Sequence, residues 1–195
     1  MTLEKRRTPR PAALAVIAAM ITAASAGCAA DDRSGQPRTQ AQEQTQTQDQ
    51  KQDQAQKQAQ TDRQAEIAAR SRQVMPFDLE RTTHRFTGTG TGGVQTVTAK
   101  EPADTRQVTL IREHLKEEAA RFGQGDFGDP ASIHGGRMPG LRELAAGHDR
   151  IDVRYTQVSA GARITYTTSD ASLIKALHAW FDAQVSDHGR HAEHG

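Results

Sequence analysis

A single cysteine, Cys28, rules out a disulfide within the chain. Aromatic residues are scarce, eight in 195 positions, and every one lies beyond residue 76. The eight histidines are distributed the same way, all beyond residue 83. No large apolar residue occurs between Ile21 and Ile67. The material for a hydrophobic core is therefore confined to the last ~120 residues, enough for one small domain. A basic excess is missing too. Residues 1–27 carry a net +3, residues 28–73 balance seven positive against seven negative groups, and residues 74–195 carry −2. A nucleic-acid binder needs a clear basic surplus, so that class is set aside. The familiar catalytic signatures are also absent: no G-x-S-x-G, no H-E-x-x-H, no P-loop and no C-x-x-C occurs. The glycine run GTGTGG (88–93) sits between two β-like runs with no helix opening behind it, so it lacks the context of a dinucleotide loop.

What is present begins with an address. A basic segment, MTLEKRRTPRP, precedes the 13-residue apolar stretch Ala12–Ala24. That stretch is too short for a comfortable bilayer span, which takes ~20 residues. Small residues follow, ending at Cys28, and residues 1–27 read as an export signal. The segment resembles the lipobox of bacterial lipoproteins, with Ser25 where that motif prefers Leu. The resemblance implies lipidation of Cys28 and anchorage to a membrane. With Ala29 rather than Asp after the cysteine, it implies the outer membrane, facing the periplasm. The competing reading is ordinary cleavage after Ala26 in an A-x-A context. Acyl chains on Cys28 would anchor firmly, since each buried methylene contributes about 0.8 kcal/mol.

From Gln40 to Gln60 every even position is glutamine. Such a segment buries too little apolar surface to offset its ordering entropy. Residues 28–73 are expected to be a disordered Gln-rich tether; a weak solvated helix is a second option because Gln, Ala, Lys and Glu form helices well, and self-association through a glutamine β-zipper is a third, opposed by the interspersed charges.

The globular part is expected over 74–187. Residues 83–87 and 94–99 alternate as a hairpin. Asp104 with Gln107 makes a capping box for a helix whose stripe is Val108, Ile111, Leu115, Ala119 and Phe122. Residues 123–140 hold six glycines and two prolines and read as a long irregular connection. After a helical turn at 141–146, residues 151–158 and 162–167 alternate as a second hairpin. Asp170 caps a last helix with the stripe Leu173, Ile174, Leu177, Trp180, Phe181 and Val185. The order ββ-α-ββ-α predicts a two-layer α+β domain: a mostly antiparallel sheet with its helices on one face. Residues 188–195 remain as a His-rich tail.

Candidate chemistry rests on histidine. The loop HGGRMPG (134–140) pairs His134 with Met138, an imidazole and a thioether suited to copper above all. The other reading is a glycine-rich turn with its Met in the core edge. His178, with Asp182 one turn on, could bind a metal with a carboxylate behind it, or could simply hold its helix in place. His84 shares a strand face with Phe86 and so points inward. His114 carries Glu117 and Glu118 at i+3 and i+4 and reads as a solvated helix face. His188, His191 and His194 recur every three residues in the tail and suggest affinity for Zn²⁺, Ni²⁺ or Cu²⁺. The expected metal set is His84, His134, Met138, His178 and His188, with copper or zinc as the ion.

The stretches MPFDLERTTHRF (75–86), VTLIREHLKEEAARFGQGDFGDP (108–130), IHGGRMPG (133–140) and ALHAWFDAQVSDHG (176–189) resemble a family of small exported bacterial proteins and lipoproteins without an assigned function. Members often carry the label aspartate carbamoyltransferase. That label implies a cytosolic enzyme of about 300 residues with an S-T-R-T-R-type motif, and no such motif occurs here. The expectation is thus an exported, lipid-anchored envelope protein whose domain binds a transition metal for handling or tolerance. The alternative is a non-enzymatic structural or interaction lipoprotein without metal. Convergence or dispersal of the imidazoles in the folded chain separates the two.

Overall fold

The first folded element is a long helix made almost wholly of polar residues. In a computed structural model, which describes residues 38–195, helix α1 runs Arg38–Val74. The export signal and Cys28 lie outside the described residues. Helix formers fill α1, and neither Gly nor Pro interrupts it. Glutamine at every second position turns about 200° per step, so it spreads over all sides of the cylinder and creates no face. Residues 46–63 are accordingly exposed.

The last third of α1 differs. Gln60, Arg63, Gln64, Ile67, Arg70 and Ser71 recur at i+3 and i+4, and this row docks on the domain. Ile67 and Ser71 are fully buried. Gln60 Nε2 donates to Ser186 O at 2.7 Å, Gln64 Nε2 to the same carbonyl at 3.0 Å, and Arg70 Nη1 to Ile133 O at 3.3 Å. Residues 38–73, expected as a disordered tether or a weak solvated helix, are helical, and the row from Gln60 onward packs on the domain expected from residue 74. The docking row is polar apart from Ile67, and composition therefore concealed it.

Two hairpins build the sheet. Strand β1 (Thr82–Thr89) pairs antiparallel with β2 (Gly92–Ala99), from Thr82↔Ala99 to Thr89↔Gly92. Strand β3 (Asp152–Val158) pairs antiparallel with β4 (Gly161–Thr167), and β4 with β2. Helix α2 (Thr105–Phe122) follows the first hairpin, and α5 (Ala171–His188) follows the second. Two short helices, α3 (Gly128–His134) and α4 (Leu141–Ala146), lie between. The fold is α+β, as expected, with a mostly antiparallel mixed sheet in the order β3-β4-β2-β1-β5, where β5 is Ala192–His194.

Three local expectations change. Residues 192–194 form strand β5, parallel to β1 (His84↔Ala192), so the segment expected as a His-rich tail begins at the end of α5 and finishes as an edge strand of the sheet. Helix α3 interrupts the connection 123–140, because its glycines cluster before residue 129 and after residue 134. Pro130 falls in the first helical turn, where its missing N–H costs nothing. At α2, Asp104 caps the N–H of Gln107 at 3.2 Å, but Gln107 does not complete the box; its Oε1 accepts from Asp78 N at 3.2 Å.

One sheet face carries the core row Phe86, Gln95, Val97, Ala162, Ile164 and Tyr166, and the other carries threonines and arginines. Helices α2 and α5 cover the buried face. Trp180 packs edge-on against Phe122, Phe127 and Tyr166, each with ring centroids 5.9 Å away. Phe127 stacks on Phe122 at 4.6 Å, and this anchors the glycine-rich connection to the core. At Gly140, φ is +75° and a Cβ would stand 2.0 Å from Ala176 O, so only glycine lets this connection cross α5 so closely. Among the described residues, no helix is long and apolar enough to cross a membrane.

Candidate functional site

Where β1, α2, α3 and α5 meet, four imidazoles enter the apolar core. His84 projects from β1 on the same side as Phe86, as its strand phase requires, and is 3% exposed. His134 closes α3 and His188 closes α5, both buried. Their ring centroids lie 4.9 Å apart, and His84 stands 5.4 Å from His188 on its other side. His114 reaches the same region from α2, with Phe77 edge-on to it at 5.6 Å and to His84 at 5.9 Å. The solvated face expected for His114 is corrected: its side chain is only 9% exposed.

A cavity of about 20 Å³ lies among them, lined by His84, His114, His134 and His188 with Glu118, Gln95, Gln184 and Trp180. That volume suits one water-sized particle. Two polar atoms of the lining residues, His84 Nε2 and Trp180 Nε1, are buried with no hydrogen-bond partner. Each such orphan costs about 1–3 kcal/mol, a cost that a bound species would offset. His188 also lines a groove of about 320 Å³ on the outside, with Gln64, Glu80, Arg190 and His191. It is therefore the side chain that connects surface and cavity.

Protonation follows from burial. Burial pushes His84 down to about 3, helped by the neighbouring His114, His191 and His134. Burial likewise holds His188 well below the usual imidazole value. For His134 burial outweighs the hydrogen bond to Asp187, and its affinity for a proton falls as well. Neutral imidazole is the form that binds metals. Glu118 moves the other way: burial first, then Asp129, raise its carboxyl to about 8. Its contact with His114 Nε2, at 3.6 Å, is longer than a hydrogen bond.

His134 has a second layer behind it. Its Nδ1 stands 2.8 Å from Asp187 Oδ2, and Arg63 of α1 grips the same carboxylate with Nε at 2.5 Å and Nη2 at 2.6 Å. Burial opposes ionisation of Asp187, but the Arg63 and His134 hydrogen bonds bring it below the usual carboxylate range. A carboxylate on Nδ1 fixes the ring and directs Nε2 to other partners, the arrangement typical behind metal-bound histidine.

Of the five expected metal residues, the fold brings together His84, His134 and His188. Met138 and His178 stand apart and are corrected. Met138 is buried in the core beside the 136–143 depression, as a loop-anchoring side chain. His178 Nε2 donates to Gly92 O at 2.9 Å and lies 3.2 Å from Thr89 O, so it clasps the β1–β2 turn, without Asp182. Sequence reasoning missed Glu118, Asp187, Arg63 and Trp180. Glu118 had a readable signal, since it falls on the α2 stripe with Ile111, Leu115 and Phe122, where a carboxyl is out of place. Among the described residues, no group of three or more His, Cys, Asp or Glu side chains already stands in metal-holding geometry. No family model, no curated protein and no solved structure matches this chain.

Proposed function

We propose that this domain binds a transition-metal ion, copper or zinc, through the imidazoles of His84, His134 and His188, and that it does so as an exported, lipid-anchored protein of the envelope. The ring spacing carries the reading. Two imidazoles bonded to one ion at 2.0–2.1 Å with tetrahedral angles have centroids ~5 Å apart. The pairs His134–His188 and His84–His188 lie at 4.9 Å and 5.4 Å. His188 belongs to both pairs, so it is the pivotal ligand. The neutral state of the rings, the unpartnered His84 Nε2 and the Asp187 carboxylate behind His134 support the same reading.

Titration of the purified chain with Zn²⁺, Cu²⁺ and Cu⁺ tests it. One equivalent of at least one of these ions is expected to bind with Kd below about 1 μM, or beyond −8 kcal/mol. His188→Ala is expected to abolish that binding. If nothing binds more tightly than this, a structural or interaction role is what remains.

A further inference from the structure

Three neutral imidazoles around a divalent ion leave its charge uncompensated in a site removed from water. A buried charge is tolerated only when it is paired. Asp187 is a poor source of that compensation, because Arg63 already grips both its oxygens and His134 occupies one of them. The cavity wall itself offers another group. Among the described residues lining it, Glu118 is the only acidic side chain, and neither lysine nor arginine is present. Glu118 is 8% exposed and sits one helical turn from His114 on the buried stripe of α2. In a purely structural core this position would hold an apolar residue, as Leu115 and Phe122 do on the same stripe.

We propose that the cavity takes a divalent cation and that Glu118 is its anionic ligand beside the imidazoles of His84, His134 and His188; this rests on the metal-binding reading above. Glu118 gives up its proton to solvent as the ion enters and then selects for charge. It gives a doubly charged ion a counter-charge, whereas a singly charged ion such as Cu⁺ is satisfied by neutral imidazoles.

The test compares the wild-type chain with Glu118→Gln, titrated with Zn²⁺ and with Cu⁺ against competing chelators. Removing one partner of a buried charge pair costs about 3–5 kcal/mol, so Zn²⁺ affinity is expected to fall by about a hundredfold or more. Cu⁺ affinity should change by a much smaller factor, or stay undetectable in both chains. Equal losses for the two ions, or an unchanged Zn²⁺ affinity, overturn the role of Glu118 while leaving the imidazole site standing. A wild-type chain that binds neither of these ions nor Cu²⁺ overturns both, and a chain that binds Cu²⁺ alone is compared with its Glu118→Gln variant for that ion in the same way. X-ray absorption of the zinc-loaded wild type gives a readout independent of the variant's folding. The outer-shell scattering of imidazole is expected to account for three of four first-shell ligands at ~2.0 Å, which leaves one light-atom ligand that is not imidazole. A first shell accounted for wholly by imidazole refutes the assignment.

Discussion

At His84, burial outweighs every other influence on the ring, and this has a consequence for stability. The folded chain holds His84 at about 3, far below the unfolded value near 6.5. Folded protein therefore binds fewer protons than unfolded protein between those values, and stability falls as pH falls through that window. His84 alone should remove about 2 kcal/mol between pH 7 and pH 5, with His134 and His188 adding in the same direction. Chemical denaturation of the wild type and His84→Gln at the two pH values measures this as the difference between the two chains, since Glu118 acts on both alike. Glu118 contributes the opposite sign. Its folded value near 8 exceeds the unfolded one near 4.5, so it weakens the fold as pH rises across that interval. Glu118→Gln should accordingly stabilise the metal-free chain at pH 8. His178 provides the contrast. His178→Ala should cost about 1–3 kcal/mol by freeing two turn carbonyls, and it should leave metal affinity unchanged. At this level the sequence was partly legible. The phase of β1 gave the inward direction of His84. The i+3 and i+4 glutamates beside His114 instead suggested solvent, because residue spacing within one helix does not reveal what packs above it.

Helix α1 divides at about residue 60. Its turns over residues 46–59 are exposed to solvent, and its later turns are fixed by Ile67, Arg63 and the glutamine contacts to Ser186. Deleting residues 46–56 should change stability by less than about 0.5 kcal/mol, as for surface changes generally. Ile67→Ala should cost about 2–4 kcal/mol and expose residues 60–74 to rapid hydrogen exchange. Composition made the whole segment look alike, although its later turns pack on the domain. It failed for the later turns because their docking relies on hydrogen bonds to backbone carbonyls, which hydropathy does not register. Strands β1 to β4 and helices α2 and α5 were legible for the opposite reason. Each has a clear apolar period and turn residues at its ends, and the two helices are capped by Asp104 and Asp170.

In the whole molecule, four segments distant in sequence meet at one place. Strand β1 contributes His84, α2 contributes His114 and Glu118, α3 contributes His134, and the end of α5 contributes His188 with Asp187. The strand alternation and helix stripes implied the two-layer fold. They did not imply this meeting point, which depends on how α3 and the C-terminus close over the sheet. The arrangement of histidine around a small polar cavity, inside a core otherwise filled by Trp180, Phe122 and Tyr166, is what links fold to function here. The most direct measurement is equilibrium Zn²⁺ titration of the full chain beside its His188→Ala and His178→Ala variants. One equivalent bound with Kd below about 1 μM, lost in His188→Ala and retained in His178→Ala, is the expected result. Zn²⁺ bound equally well by the His188→Ala chain would contradict it.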